Sequence, residues 1–62
     1  MNISVAREKR GITQAELADR LCVTQGAISQ WETGKSFPRA ELLPKLADIL
    51  GCTIDELLRK EE

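Results

Sequence analysis

Apolar residues recur along this chain at spacings of three and four positions, which is the period of an amphipathic helix rather than of a strand. Glycines and short polar breaks divide the pattern into five segments. Ala, Leu, Glu, Lys, Arg and Gln dominate between the breaks, and the alternating β-branched and aromatic runs typical of strands are missing. The sequence therefore predicts an all-α domain of five short helices.

Capping signals mark where most of these helices begin. Asn2 is a predicted N-cap for the first segment, and Gly11 suits the C′ position that ends it. The second and fifth segments open with Thr13–Glu16 and Thr53–Glu56, each of which has the spacing of a capping box. Thr24 is the predicted N-cap of the third segment. Because so few residues separate the second and third segments, we expect these two helices to cross steeply and in direct contact.

The fourth segment carries a proline inside its apolar series. Proline costs about 3 kcal/mol or more in a helix interior but is tolerated in the first turn. We therefore expect the regular helix to begin near Leu43 or Pro44, with residues 39–42 forming a turn, and to end before Gly51. The charged residues 59–62 are expected to fray.

The composition limits the chemistry that this chain can carry. Its 62 residues, 42% of them hydrophobic, predict one small domain spanning residues 1–62, and the initial methionine and charged end favour a complete chain. There is no histidine, and the only cysteines are Cys22 and Cys52. We therefore expect no catalytic residue, no metal and no cofactor. A Cys22–Cys52 disulfide stays open, but both lie in apolar runs, where we expect buried free thiols, and a reduced, cytoplasmic protein is favoured. No stretch is apolar enough to span a membrane.

The formal net charge of -1 argues against a uniformly basic surface. Residues 1–38 carry five basic and four acidic side chains, whereas residues 39–62 carry four basic and six acidic ones. A cationic surface would therefore have to be local and assembled by folding.

The stretch Gln14–Thr33, QAELADRLCVTQGAISQWET, resembles the helix-turn-helix of the phage Cro and repressor type, also called the XRE-like family. The resemblance continues through GKSFPR and LADILGCTIDELL and covers almost the whole chain, from Ile3 to Leu58. It implies a compact five-helix, lambda-repressor-like domain with the helix-turn-helix at residues 14–33. Ala18 then stands where the two helices approach most closely, above a small core of Leu17, Leu21, Val23, Ile28 and Trp31.

One position departs from the family pattern. The turn usually contains a glycine where this chain has Cys22. A Cβ makes the left-handed conformation less favourable by about 1–2 kcal/mol. Either Cys22 bears that cost or the turn differs slightly, and both outcomes leave the helix crossing intact.

The resemblance implies that the third helix lies in the major groove of DNA. The base-reading residues would then be Thr24, Gln25, Gly26, Ser29 and Gln30. Gln25 is the strongest candidate, because a glutamine amide can bond adenine at two atoms, which gives about 1–3 kcal/mol of discrimination. Helical spacing separately puts Gln25, Gly26, Ser29 and Gln30 opposite Ile28 and Trp31. Without the resemblance they would be interpreted as a solvated face.

Contacts with the DNA backbone are expected next to this helix. The candidates are Gln14, Thr33, Lys35, Ser36 and Arg39. Gln14 is at a helix N-terminus, where free backbone amides suit a phosphate. Lys35 and Arg39 are the two charged residues most expected to bind the DNA phosphates. The alternative is that they are ordinary solvated loop charges.

The resemblance also places Arg7 and Glu32 at paired positions that link the first helix to the end of the third. We interpret them as a buried or half-buried ion pair. Losing one partner of such a pair often costs about 3–5 kcal/mol when burial is deep.

The leading functional hypothesis is a sequence-specific transcriptional regulator, with repression as the expected direction. A homodimer on a palindromic operator of double-stranded DNA is expected, because related regulators bind half-sites about 34 Å apart. Cys52, Ile54 and Leu58 form the candidate dimer surface, although they could equally belong to the monomer core. The alternative function is a protein-interaction or antitoxin-type module that keeps the fold without reading DNA. An enzyme has little support.

Overall fold

The computed structural model describes residues 1–59, and every regular element in that range is helical. The helices are α1 Ile3–Arg10, α2 Gln14–Leu21, α3 Gln25–Thr33, α4 Leu43–Leu50 and α5 Ile54–Leu58, with a 3-10 turn at Ala40–Leu42. The predicted all-α class and five-helix order are confirmed. None of these helices is long and apolar enough to cross a membrane. Residues 60–62 of the predicted frayed tail lie outside the described range.

Both predicted capping boxes are present. The Glu16 amide donates to Thr13 Oγ1 at 3.1 Å, and the Thr13 amide donates back to Glu16 Oε1 at 2.9 Å. Thr53 and Glu56 repeat the arrangement at 3.0 and 2.9 Å. The backbone hydrogen bond from each threonine, followed by its hydroxyl, lowers the pKa of the paired carboxyl group. Each box therefore ties the start of its helix to an ionised glutamate.

The prediction that the Asn2 side chain caps α1 is wrong. Asn2 precedes α1, but its backbone, at φ -99° and ψ 30°, is not in the extended conformation of a capping residue, and its side chain makes no capping hydrogen bond. Instead the Asn2 amide donates to the Leu57 carbonyl at 2.8 Å. This bond ties the beginning of the chain to α5.

The hydrophobic core takes one fully buried side chain from each of the five helices. These are Ile3, Leu17, Ile28, Leu46 and Leu57. Ala18 and Trp31 are also buried, as predicted, whereas Val23 is only partly buried at the edge of the core. Through this shared core, α1 packs against α3 and α4 packs against α2.

The turn between α2 and α3 has the left-handed geometry that favours glycine, but a cysteine occupies it. Cys22 has φ 58° and ψ 41°, and no other non-glycine residue within 1–59 has a positive φ. The turn holds because the Val23 amide donates to the Ala18 carbonyl at 3.0 Å and the Cys22 amide to the Asp19 carbonyl at 3.2 Å, a pattern that needs a left-handed residue. Of the two expected outcomes, Cys22 bears the conformational cost.

The expectation that both cysteines are buried is wrong for Cys22. Cys22 has a left-handed backbone and is exposed to solvent. Cys52 is half-buried beside α1, where burial and then the nearby Glu56 raise the pKa of its thiol. Both cysteines are free, as favoured from the sequence.

Candidate nucleic-acid interface

The third helix presents its polar residues to solvent and its apolar residues to the core. Thr24, Gln25, Gly26 and Gln30 are exposed and Ser29 is half-buried, while Ile28 and Trp31 are buried on the opposite side. Thr24 Oγ1 accepts the Ala27 amide at 3.1 Å, which starts the helix and leaves the hydroxyl hydrogen available as a donor. The predicted base-reading residues thus lie together on one accessible face.

Gly26 adds no side chain to this face. A Cβ at this position would meet only Thr24 Oγ1, at 3.8 Å, so the fold itself does not require a glycine. Glycine destabilises a helix interior by about 0.5–1 kcal/mol relative to alanine, so Gly26 lowers the helix stability of α3 without being needed for its packing.

A chain of polar contacts joins this face to the first two helices. Glu32 accepts a hydrogen bond from Arg7 Nε at 2.7 Å and another from Gln14 Nε2 at 2.9 Å. Gln14 Oε1 in turn faces Gln25 Nε2 at 3.5 Å, where the attraction is weak. The side chain of Gln14 is therefore held by Glu32 and turned toward Gln25.

The ion pair of Arg7 and Glu32 is present, as the resemblance implied. Their side chains are only 14% and 9% exposed. The hydrogen bond to Glu32 raises the pKa of Arg7 against the opposing effect of burial, and Arg7 Nη1 also donates to the Ile12 carbonyl at 2.9 Å. One guanidinium thus joins α1, the turn before α2, and α3.

The loop after α3 folds back on the end of that helix. The Lys35 amide donates to the Gln30 carbonyl at 2.9 Å, and Ser36 Oγ lies 3.3 Å from Gln30 Oε1. The Thr33 hydroxyl donates to the Ser29 carbonyl at 3.0 Å, which occupies its hydrogen. Thr33, Lys35 and Ser36, three of the predicted backbone-contacting residues, are therefore held next to Ser29 and Gln30.

The two loop cations differ in their surroundings. Arg39 Nε is 3.4 Å from Glu41 Oε1, and both side chains are more than 70% exposed, so the pair contributes little and can open. Lys35 is exposed, and no carboxylate of residues 1–59 lies within ion-pairing distance of it. Lys35 is thus available to a phosphate, and Arg39 becomes so when its pair with Glu41 opens.

The sequence that forms the crossed helices α2 and α3, with the polar face on α3, matches a protein-family model. The helix-turn-helix model covers residues 3–57. The chain belongs to the XRE-type helix-turn-helix family. The turn at Cys22 and the face at Gln25 are thus the turn and the exposed helix face of a helix-turn-helix.

Three relatives illustrate the range of this helix-turn-helix family. The HTH-type transcriptional activator BcrR of Enterococcus faecalis is 45% identical over 90% of the chain, which covers 28% of that protein. The 26 kDa repressor protein of Escherichia phage HK022 is 44% identical over 82% of the chain and 23% of its own length. Repressor protein C2 of Salmonella phage P22 is 40% identical over 92% of the chain and 26% of its own length. The chain spans about a quarter of each of these relatives.

The candidate dimer surface of this helix-turn-helix chain is partly open. Ile54 is 37% and Leu58 51% exposed, so neither is a core residue, whereas Cys52 is half-buried. Leu57, between them in α5, is fully buried. The alternative that all three candidates are core residues is wrong for Ile54 and Leu58, because α5 turns only its Leu57 side inward.

Two features of the interface carry no signal in the sequence. The hydrogen bond from Gln14 to Glu32 joins residues 18 positions apart, and helical spacing within one element cannot reveal it. Phe37 is 69% exposed in the loop beside Lys35, although a lone phenylalanine in a short sequence suggests a core residue.

Proposed function

We propose that this chain is a sequence-specific double-stranded DNA-binding transcriptional regulator rather than an enzyme. The observation that carries the proposal is the polar face of α3, where Gln25 and Gln30 are exposed beside the half-buried Ser29, while Ile28 and Trp31 anchor the opposite side of the helix in the core. A helix presented in this way fits the major groove. Its family and the names of its relatives support the same function.

Gln25 is the principal base reader in this proposal. Its amide can donate to N7 and accept from N6 of one adenine, a contact that distinguishes the base pair by about 1–3 kcal/mol. Gln25 Nε2 lies 3.5 Å from Gln14 Oε1, where the attraction is weak, so the amide is free to turn toward a base. Gly26 leaves room for the bases, while Thr24, Ser29 and Gln30 supply further hydrogen-bonding groups.

Phosphates are bound on both sides of this reading helix. One N–H of the Gln14 amide is committed to Glu32, and the other remains for a phosphate at the beginning of α2. Lys35 and Arg39 supply positive charge from the loop after α3. Thr33, at the end of α3, and Ser36, in the same loop, are further candidates for phosphate contacts. Such contacts provide much of the affinity and set the register on the duplex.

We propose that two copies bind a palindromic operator and repress transcription. The Cα trace extends no more than 25 Å in any principal direction, whereas half-sites repeat at about 34 Å, so one copy reads only one half-site. The exposed Ile54 and Leu58, with Cys52 beside them, are the proposed contact between copies. Repression follows the phage relatives, and the activator among the relatives makes the direction an outcome to measure. We assign the protein to the cytoplasm, without a cofactor or metal.

Selection of bound sequences from a random duplex pool tests the proposal. We expect enrichment of a palindrome, and the Gln25→Ala variant should lose preference at one position of each half-site while keeping the others. Lys45→Ala, on the exposed surface of α4, is the matched control and should select the same sequence as the parent. No enrichment, together with binding that does not depend on salt, would overturn DNA reading in favour of an interaction module.

A further inference from the structure

The carboxylate of Glu32 divides its two oxygens between a charged partner and a polar one. Oε2 accepts from Arg7 Nε at 2.7 Å, whereas the closest partner of Oε1 is Gln14 Nε2, at 2.9 Å. The second contact with the guanidinium, from Arg7 Nη2 to Oε1, is longer, at 3.4 Å. A pair that only held α1 against α3 could use both oxygens for the guanidinium, as a bidentate pair does. Here the shorter contact of Oε1 is with α2.

This contact allows only one orientation of the Gln14 amide. An ionised carboxylate accepts hydrogen bonds and cannot donate them, so Glu32 holds the amide nitrogen and would repel the amide oxygen. The second hydrogen of that nitrogen has no acceptor within residues 1–59. Gln14 is the first residue of α2 and is only half-buried. The amide nitrogen is therefore a fixed donor at the place where a phosphate is proposed to bind.

The negative charge of Glu32 would oppose a phosphate at this place if nothing compensated it. A nitrogen that bonds both groups brings the carboxylate and the phosphate to within about 6 Å of each other. Arg7 supplies the compensating positive charge, and its Nη1 also donates to the Ile12 carbonyl at 2.9 Å, which holds the guanidinium in position. The pair is largely shielded from water, so this compensation is strong.

We propose that Glu32 is a positioning residue for DNA binding, in addition to joining α1 to α3. It holds the Gln14 amide with its nitrogen ready to donate to a phosphate, and it does so without touching DNA itself. The inference rests on the proposed phosphate contact of Gln14 and extends the interface to a largely buried residue at the end of α3.

The Glu32→Gln variant gives positioning and simple electrostatics opposite signs. Loss of an acidic residue by itself should strengthen binding to a polyanion. Glutamine, however, has one acceptor oxygen instead of two, and once Arg7 takes it the Gln14 amide is no longer held. We therefore expect Glu32→Gln to bind a duplex of random sequence about fivefold more weakly than the parent. Asp48→Asn, on the exposed surface of α4, is the matched control and should bind at least as tightly as the parent.

A double-mutant cycle shows whether the effect passes through Gln14. Gln14→Ala should weaken binding about fivefold in the parent but less than about twofold in the Glu32→Gln protein, where the positioned donor is already lost. Fluorescence anisotropy gives the affinities, at a temperature at which the melting curve of each variant shows it to be folded. If Glu32→Gln does not fold, Arg7→Met/Glu32→Leu replaces it in the cycle, because it leaves neither buried charge unpaired.

The side-chain amide of Gln14 reports its positioning without DNA. The NMR order parameter of its nitrogen should be high in the parent and should fall in Glu32→Gln to that of a surface glutamine. An order parameter that does not fall overturns the inference.

The inference is also overturned if Glu32→Gln binds the duplex as tightly as the parent, or if the losses from Glu32→Gln and Gln14→Ala multiply independently. In both cases the parent still binds DNA, so the proposed function stands. A parent that binds no duplex overturns the proposed function together with this inference.

Discussion

At the scale of single residues, Cys22 is the one non-glycine residue within 1–59 that adopts the left-handed backbone conformation. The left-handed backbone costs a non-glycine residue about 1–2 kcal/mol, while glycine recovers this but loses entropy on folding. We therefore expect Cys22→Gly to raise the free energy of unfolding by about 0.5–1 kcal/mol, measured by urea denaturation.

Cys22→Ala is the control for that measurement, because it removes the thiol and keeps the Cβ. It should leave the stability close to that of the parent. Equal stability gains in the two variants would show that loss of the thiol, and not relief of the backbone, is responsible.

Gly26 separates stability from DNA binding at a single position. A methyl group fits there, and alanine is the better helix former, so Gly26→Ala should stabilise the free protein by about 0.5–1 kcal/mol. The same methyl group should weaken DNA binding, because it fills the space that the bases would occupy. Urea denaturation and titration of the selected duplex measure the two effects. An unchanged affinity would show that α3 does not approach the bases closely at this residue.

Among the helices, the capping boxes make the fold sensitive to acid. The pKa values of Glu16 and Glu56 are lowered in the folded protein by the backbone and side-chain hydrogen bonds from Thr13 and Thr53. The unfolded chain therefore takes up protons first as pH falls, and the stability present at neutral pH is lost progressively below about pH 5.

The Glu16→Gln/Glu56→Gln protein tests this dependence. Glutamine retains an oxygen acceptor for the threonine amide but has no proton to gain in this range. We expect its stability, followed by thermal denaturation between about pH 5 and pH 3, to fall less steeply than that of the parent. Parallel curves would mean that other carboxylates control the acid response.

Helices α1 and α3 are joined by the Arg7–Glu32 pair, and its burial sets the cost of breaking it. Arg7→Met or Glu32→Leu alone leaves an unpaired, largely buried charge and should reduce the free energy of unfolding by about 3 kcal/mol. The double variant leaves neither charge and should lose less than either single variant. Arg39→Met, in the exposed pair with Glu41, is the control and should change stability by less than about 1 kcal/mol. Additive losses would mean that the two residues act independently.

Local signals in the sequence account for the helices and leave the contacts between them open. The capping threonines, the terminal glycines and Pro44 in a first turn gave helix boundaries that agree with the structure. The Asn2 cap failed because a contact with Leu57 sets its backbone, and that contact is distant in sequence. In the candidate interface, the exposed face of α3 follows from helical period, whereas the Gln14–Glu32 bond depends on how two helices cross. The left-handed φ of Cys22 could not be predicted from the residue type either, because a side chain with a Cβ disfavours that conformation.

For the whole molecule, a net charge of -1 means that any attraction to DNA must come from a few placed cations. Lys35 and Arg39 are the two proposed here; within residues 1–59 Lys35 has no ion-pair partner, and Arg39 is weakly paired with Glu41. Each phosphate neutralised contributes about -0.9 to the slope of log affinity against log salt concentration. A dimer with two such contacts per copy should therefore show a slope of about -4.

Removing one phosphate-binding cation from each copy should reduce the magnitude of this slope by about 2, because a dimer then loses two phosphate contacts. Lys35→Ala should move it from about -4 to about -2 and weaken binding to all duplexes alike, because a phosphate contact carries no sequence information. Lys45→Ala removes the same charge from α4, so it controls for net charge and should leave the slope unchanged. Fluorescence anisotropy of the selected duplex over a range of KCl concentrations gives both slopes. If Lys45→Ala flattens the slope as much as Lys35→Ala does, the attraction comes from overall charge and the loop does not grip the backbone.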